Sequence, residues 1–242
     1  VVMNDEAKKT ADAVITECLA TKKNRPVARG QKSVLMCWES QQTWYHKRLL
    51  ERERWDVKML LDRNISQLPI TYMEEDMMKV NTTRRWERTE KEKISGVAYT
   101  ASNCVSRRME LVKEVAKYVR VYSFGKCMHN AEVEEMFPDC MEFQKKHPEE
   151  RDEFNSCVYS HFKFTLALEN VIERDYVTEK LDMLWRTGSV PVYWGAPNWH
   201  DYVPDIKSLV VATDFPSYSD LGKYLAEMVE AKSEGKYTRE YF

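Results

Sequence analysis

Two pairs of charged side chains, each at a predicted helix start, have the chemistry and placement to bind phosphate. Glu179 and Lys180 directly follow Thr178, a residue type that caps helix starts, while Arg107 and Arg108 fall in the first turn of another predicted helix. Free backbone N–H groups and the helix dipole favour an anion at such a turn. A guanidinium and an ammonium from two turns could hold one diphosphate. The alternative is that both pairs are solvated helix charges.

No glycine-rich phosphate-binding motif occurs in the sequence. Its seven glycines form neither GxGxxG nor GxxxxGK[ST], so a nucleotide cradled by backbone N–H groups is not expected. HExxH, GxSxG and paired acidic DxD motifs are missing as well, and the five histidines share no ligand spacing. We therefore predict that side chains and helix ends neutralise the phosphate, with no cofactor and no required metal.

The pattern around these turns predicts an α/β fold with a parallel sheet. Unbroken apolar segments alternate with helical patterns, which is typical of parallel strands covered on both faces. Strands are predicted at 95–102, 119–125, 162–168, 189–195 and 208–214. Helices are predicted from 106 to 119, from about 178 to 187 and from Ser217, while 126–160 reads as an irregular charged insertion. Ligands of such sheets bind at the carboxyl ends of the strands, where the charged pairs lie.

The first part of the chain has a different pattern of predicted helices and strands. Helices are predicted over 5–20 and 43–54, and strands over 33–38 and 55–61, the first strand ending at Glu39 and Ser40. A charged stretch without apolar periodicity, 82–93, precedes the alternating pattern. We place a domain boundary at its end, which divides the chain into 1–94 and 95–242.

Composition narrows the class of protein. With 242 residues, 43% of them hydrophobic, and a formal charge of −2, the chain is expected to be globular and not to bind nucleic acid. No apolar run reaches the roughly 18 residues of a membrane span.

Cysteines and sequons favour a secretory lumen. Cys104 and Cys127 flank one strand–helix–strand unit and are predicted to pair, whereas Cys140 and Cys157 are either a second pair or free thiols. Candidate N-glycosylation sites lie at Asn64 and Asn81.

Five motifs after residue 95 resemble the donor-binding domain of the α1,3-fucosyltransferase family. They are "SNCVSRRMEL", "VYSFGKCMHN", "FKFTLALENVIERDYVTEK", "GSVPVYWGAPN" and "DFPSYSDLGKYL", in this order along 102–225. Upstream, "VLMCWES" is similar to the family's acceptor-domain strand. The next family motifs are replaced by "LLDRNISQLPITYME".

The resemblance implies a GT-B fold, in which two Rossmann-like domains face a cleft, with 1–94 as a partial acceptor-binding domain and 95–242 as the GDP-fucose-binding domain. It also implies inverting transfer of fucose from GDP-fucose to a GlcNAc hydroxyl of a glycoprotein glycan, in α1,3 linkage, with an N-glycan core acceptor suggested by the "SNC", "GKC" and "GAPN" segments. The expected location is the Golgi lumen, as the soluble part of a single-pass type II membrane protein whose anchor is absent from this chain.

Residue roles follow from the same resemblance. It identifies Glu39 as the general base and places Arg108, or Arg107 if the register shifts by one, on the diphosphate. Asn170, Tyr176, Glu179 and Lys180 match the donor-binding cluster. Lys180 would contact the diphosphate, and Glu179 would contact sugar hydroxyls and stabilise positive charge at the anomeric carbon. Glu169 is expected to fix the loop.

Two other functions are compatible with these residues. One is a GT-B transferase that uses another nucleotide sugar, which would bind a different nucleoside diphosphate tightly. The other is a non-catalytic glycan-binding descendant of the fold.

Overall fold

The computed structural model describes residues 11–18, 30–40, 55–72, 86 and 88–230. The chain divides into two compact units. The first comprises Val1–Tyr72, Val171–Tyr176 and Ala196–Asn198, and the second comprises Met73–Asn170, Val177–Gly195 and Trp199–Phe242. Two short segments of the predicted donor domain are therefore grouped with the first unit.

The described part of the first unit contains a parallel three-stranded sheet. Its strands are β1 (Ala13–Glu17), β2 (Lys32–Cys37) and β3 (Val57–Leu60), in the order β1-β2-β3. Leu35 and Leu60 are buried beside a disulfide between Cys18 and Cys37. The strands predicted over 33–38 and 55–61 are confirmed.

The helix predicted over 5–20 is wrong where the structure describes it, because 13–17 form a strand. Val14, Ile15 and Thr16 are β-branched, a residue class that packs well on a pleated sheet, and each pairs with β2. Residues 5–10, 19 and 20 lie outside the described residues, as does the helix predicted over 43–54.

The second unit contains a parallel five-stranded sheet that matches the predicted alternation. The strand order is β5-β4-β6-β7-β8. The strands are β4 (Ile94–Tyr99), β5 (Val121–Ser123), β6 (Phe162–Leu168), β7 (Val190–Trp194) and β8 (Val210–Val211). In β6 and β7 almost every side chain is buried, as expected for central parallel strands covered on both faces.

Helices cover the sheet through apolar stripes. Helix α1 (Ser106–Val115), within the helix predicted from 106 to 119, buries Leu111, Val112 and Val115 in the same core as the last described helix. That last helix begins at Tyr218 and ends at Glu230. Ser217, where the helix was predicted to begin, precedes it and caps it, because the Ser217 hydroxyl accepts a hydrogen bond from the Asp220 N–H.

The insertion predicted to be irregular, 126–160, is helical over most of its length. It contains α2 (Val133–Met136), α3 (Pro138–Lys146) and α4 (Arg151–Ser160). Pro138 suits a first helical turn because its missing N–H has no helical partner there. The irregular prediction is therefore wrong: high charge on the exposed faces masks short buried stripes, such as the one formed by Cys140 and Phe143. The next helix, α5 (Glu179–Asp182), continues as a 3₁₀ turn over Met183–Arg186, and the Tyr218–Glu230 helix is α6.

Both cysteine pairs considered from the sequence are bonded. Cys104–Cys127 joins the loop after β4 to the loop after β5, and Cys140–Cys157 joins α3 to α4. None of the described helices is long and apolar enough to cross a membrane.

A close backbone approach at Gly125 gives a test of the loop geometry. A Cβ at this position would lie 2.5 Å from the backbone N and O of Ala101, and the same Ala101 O accepts a hydrogen bond from Cys127. We expect Gly125→Ala to lower the free energy of unfolding by about 1–3 kcal/mol, measured by urea titration. Ser102→Ala, at an exposed neighbouring position, is the control and should change stability by less than about 0.5 kcal/mol. Equal midpoints for the two variants would contradict the close approach.

Candidate active site

Arg108 ties the start of α1 to the end of β6. Its side chain is only 2% exposed, whereas Arg107 is exposed. The Arg108 guanidinium donates through Nη1 to the Leu168 carbonyl at 3.0 Å and through Nη2 to the Asn103 carbonyl. Its Nε has no partner among the described residues. Of the two arginines, Arg108 is the one that the fold turns inward.

The exit of β6 is held by a buried carboxylate. Glu169 is 0% exposed, and its two oxygens accept the Thr178 N–H and the Thr178 hydroxyl, both at 2.8 Å. The Thr178 hydroxyl also accepts the Lys180 N–H at 3.4 Å, so Thr178 is the cap predicted for this helix. Burial raises the pKa of Glu169 to about 7, against the opposing effect of Lys180.

Lys180 lies within this network. Its Nζ donates to the Thr178 hydroxyl at 3.0 Å and to Glu179 Oε1 at 2.8 Å, and is 3.6 Å from Glu169 Oε2. Burial disfavours its charge, but the two carboxylates outweigh burial and raise the pKa of Lys180. Arg108 acts in the opposite direction on this pKa, which puts both cations within electrostatic reach of each other.

Two tyrosines that sequence reasoning missed face the same charges. Tyr99, the last residue of β4, is 1% exposed, and its hydroxyl has no partner among the described residues. Burial raises the pKa of Tyr99, while Arg108 opposes the rise. Tyr159 of α4 has a pKa raised to about 12, chiefly by burial, with Tyr99 and Glu179 adding to it. Tyr99 was missed because the predicted strand, 95–102, runs three residues past it, whereas the observed β4 ends at Tyr99. Tyr159 carried no signal, because its segment was predicted to be irregular.

A cavity of about 460 Å³ opens beside the ends of β4 and β5. The loops that follow these strands supply Thr100, Ser102 and the segment 124–126 to its lining. Polar side chains from α3 and α4 complete the wall; they are Gln144, Arg151 and Asn155. The volume falls within the ~300–1,000 Å³ that is usual for small-molecule sites.

The remaining predicted residues lie in the first unit, apart from Asn170. Glu39 follows β2, and its Oε2 accepts a hydrogen bond from the buried Tyr176 hydroxyl at 3.1 Å. Ser40 donates to Glu173. Asp175, at φ 63°, exchanges hydrogen bonds with Asn198 and so holds the backbone next to Tyr176. Asn170 is half-buried in the second unit, directly after Glu169.

The predicted residues therefore form two groups, each within one unit. Tyr176 and Glu39 are together in the first, and Arg108, Glu179 and Lys180 are together in the second. Asn64 is exposed, as a glycosylated asparagine must be, and Asn81 lies outside the described residues.

Residues of the types that bind metals also cluster away from these groups. Asp139 and His161 lie next to the Cys140–Cys157 disulfide. Arg88 Nη2 is 2.7 Å from His161 Nε2, and the pKa of His161 is lowered to about 4, chiefly by burial. A cation here would meet a guanidinium and two sulfurs already bonded to each other.

Two sequence comparisons with known proteins agree on a family. The model for glycosyltransferase family 10 (fucosyltransferase), C-terminal region, matches residues 89–242. The chain is 34% identical over 142 residues to GDP-fucose protein O-fucosyltransferase 3 of Xenopus laevis, covering 57% of this chain and 28% of that protein. It is 35% identical over 136 residues to the α-(1,4)-fucosyltransferase of Arabidopsis thaliana, covering 54% of this chain and 33% of that protein. The chain thus spans about a third or less of these relatives.

Solved structures confirm the fold prediction. A crystal structure of an α1,3-fucosyltransferase with GDP superposes with a TM-score of 0.60 at 16% sequence identity, covering 92% of this chain and 66% of that one. A crystal structure of such an enzyme with GDP-fucose gives a TM-score of 0.59 at 17% identity. The chain therefore has the GT-B fold of these proteins.

The burial of Arg108 and the exposure of Arg107 lead to a paired stability test. Arg108→Ala removes the donors to two backbone carbonyls and should lower the free energy of unfolding by about 2–3 kcal/mol. Arg107→Ala, the matched control, should change it by less than about 0.5 kcal/mol. Both are measured by chemical denaturation. A larger loss of unfolding free energy for Arg107→Ala than for Arg108→Ala would mean that Arg107, and not Arg108, faces inward.

Proposed function

The chain belongs to glycosyltransferase family 10, the fucosyltransferases, and we propose that it transfers fucose from GDP-fucose to a hydroxyl group of a glycoprotein. The observation that carries the proposal is the approach of Arg108 and Lys180 from two separate helix starts within the region that matches the family. Two cations at the carboxyl ends of neighbouring parallel strands suit a diphosphate.

The donor diphosphate would lie against Lys180 and the start of α5. The Lys180 ammonium already lies in a polar network. It can therefore exchange its contact with Glu179 for a contact with a phosphate oxygen with little movement of the side chain. The unpartnered Arg108 Nε and Tyr99 hydroxyl provide two further buried groups that a bound ligand or water would satisfy.

The nucleoside would occupy the cavity at the ends of β4 and β5. Its lining combines Phe124, an aromatic surface for the base, with the amides of Gln144 and Asn155 and the guanidinium of Arg151. Guanine presents the acceptors O6 and N7, which arginine contacts well. This composition supports a guanine nucleotide over one with a smaller pyrimidine base.

The proposed chemistry is a one-step displacement with inversion. Glu39 would remove the proton of the acceptor hydroxyl, and the hydrogen bond from Tyr176 would orient its carboxylate. Glu179 would stabilise the positive charge that develops at the anomeric carbon. GDP would leave as an anion, stabilised by Arg108, Lys180 and the α5 dipole, so we propose that no metal ion is needed.

The acceptor is proposed to be a GlcNAc hydroxyl of a glycoprotein glycan, in α1,3 linkage, with the N-glycan core as the first candidate. The similarity to a protein O-fucosyltransferase favours a second candidate acceptor, a hydroxyl on the polypeptide. The similarity to an α-(1,4)-fucosyltransferase makes an α1,4 linkage the alternative to test. A panel with N-glycan, N-acetyllactosamine and unglycosylated protein acceptors separates these.

We propose that the protein works in the Golgi lumen, anchored by a segment outside this chain. Three disulfides among the described cysteines and an exposed asparagine in a sequon suit an oxidising, glycosylating compartment.

Donor binding and transfer should separate in two variants. Lys180→Ala should weaken GDP binding about 10- to 100-fold because it removes a charge-assisted contact, whereas Glu39→Gln should bind GDP normally and lose transfer. GDP affinity is measured by calorimetry, and transfer by GDP release from GDP-fucose with the acceptor panel. Lys113→Ala, at an exposed position of α1, is the control.

Equal GDP affinity in the wild type and Lys180→Ala would remove the donor-site assignment. Tighter binding of another nucleoside diphosphate would favour a different nucleotide sugar, and donor binding without transfer to any acceptor would favour a glycan-binding descendant.

A further inference from the structure

Glu169 places a buried carboxylate beside the proposed diphosphate site. A negative side chain is not expected there, because it repels a bound anion. It is 0% exposed, and its Oε2 lies 3.6 Å from the Nζ of Lys180, the cation proposed to hold the diphosphate. A second carboxylate, that of Glu179, contacts the same Nζ at 2.8 Å. The site therefore carries negative charge where the donor would add more, and the following inference rests on the proposed function.

The carboxylate of Glu169 cannot turn away from Lys180. Its two oxygens are held by the N–H and the hydroxyl of Thr178, and its backbone N–H donates to the Trp194 carbonyl at 2.8 Å. On the β7 side, a Cβ on Gly195 would lie 2.5 Å from the Glu169 Cγ, so the glycine leaves just enough room for this side chain. Glu169 itself can adjust to a nearby anion only through protonation, because these contacts hold its side chain in place.

The formal charges of the cluster balance before a ligand binds. Arg108 and Lys180 contribute two positive charges, and Glu169 and Glu179 contribute two negative charges. The diphosphate of a nucleotide sugar adds two negative charges. Protonation of one carboxylate would restore part of the balance and free Lys180 for the ligand.

Of the titratable groups around Lys180, Glu169 is the one placed to change charge near neutral pH. Burial raises its pKa to about 7, with Lys180 opposing and Glu179 adding to the rise. The tyrosines that face the cluster are Tyr99 from β4, Tyr159 from α4 and Tyr193 from β7, beside Gly195. Burial raises the pKa values of the first two above that of an ordinary phenol.

We propose that Glu169 takes up a proton when the donor diphosphate binds beside Lys180, so that this side chain sets the donor affinity through its charge. The hydrogen bonds allow it. One oxygen of the protonated acid still accepts the Thr178 N–H, and the other donates to the Thr178 hydroxyl oxygen in place of the long 3.4 Å contact from the Lys180 N–H, so that the second lone pair stays with Lys180 Nζ. A glutamine makes the same pattern, because its carbonyl accepts and its amide donates.

The sign of the effect follows from linkage. Negative phosphate oxygens near Glu169 favour its neutral form, so binding takes up protons and the donor binds more tightly as the pH falls through 7. If the diphosphate raises the affinity of Glu169 for its proton tenfold, donor affinity changes by up to about tenfold between pH 6 and pH 9.

Calorimetry with GDP-fucose, in pairs of buffers with different ionisation enthalpies, measures the proton directly. At pH 7.5 both phosphates of this donor are singly charged and its guanine N1–H stays protonated, so any proton exchanged there belongs to the protein. We expect the wild type to take up a fraction of a proton at pH 7.5 and to lose about tenfold in affinity from pH 6 to pH 9. Glu169→Gln should take up none and bind with the wild type's low-pH affinity throughout.

Glu132→Gln is the matched control. Glu132 is an exposed glutamate that pairs with His129, whose pKa is raised mainly by that hydrogen bond, and this pair lies outside the cluster. Its substitution should leave the proton uptake of the wild type unchanged.

Each other result overturns the inference. Binding without proton uptake by the wild type overturns it and leaves the proposed function standing, and this measurement needs no variant to fold. Uptake that persists in Glu169→Gln assigns the proton to another group, and loss of donor binding in that variant with an unchanged melting temperature means that binding needs the charged carboxylate. No binding of GDP-fucose by the wild type at any pH overturns the proposed function as well.

Discussion

The hydrogen bonds between Thr178 and the buried carboxylate of Glu169 organise the second unit around its central strand. They turn the chain from the end of β6 into α5 and place Lys180 in the first helical turn. The residue before Glu169, Leu168, offers its carbonyl to Arg108, so the same strand end also receives the other cation. One strand end thereby holds both candidate phosphate ligands, without any glycine-rich turn.

This arrangement exchanges backbone recognition for side-chain recognition. A glycine-rich loop binds phosphate with N–H groups that cannot change their charge. Here the candidate ligands are an arginine and a lysine beside two carboxylates, and the net charge of these four groups depends on protonation. The anion affinity of such a site can depend on the protonation of a single buried acid. Such a site also requires that each buried polar atom has a hydrogen-bond partner.

The helical segment 126–160 has two structural roles. Helices α3 and α4 wall the cavity at the ends of β4 and β5, and α4 also contributes Tyr159 to the charged cluster. The disulfides Cys104–Cys127 and Cys140–Cys157 restrain the loops and helices that form this wall. Restraint of long connections reduces the entropy that ordering them would otherwise cost.

The sequence by itself determined the parallel architecture of the second unit's sheet, because unbroken apolar runs that alternate with helices are typical of parallel strands buried on both faces. It also determined the cap at Thr178, whose signal is local, and marked Arg108 and Lys180 by their place after strand ends. Helix 5–20 and the irregular insertion were misjudged, since short segments such as 13–17 take the structure that their neighbours stabilise. Only the tertiary structure decided that Arg108 turns inward and Arg107 outward, that Tyr99 and Tyr159 join the cluster, and that Glu169 lies 3.6 Å from Lys180. The physical reason is that burial and the distance between charges depend on residues far apart in the chain, which no local pattern contains.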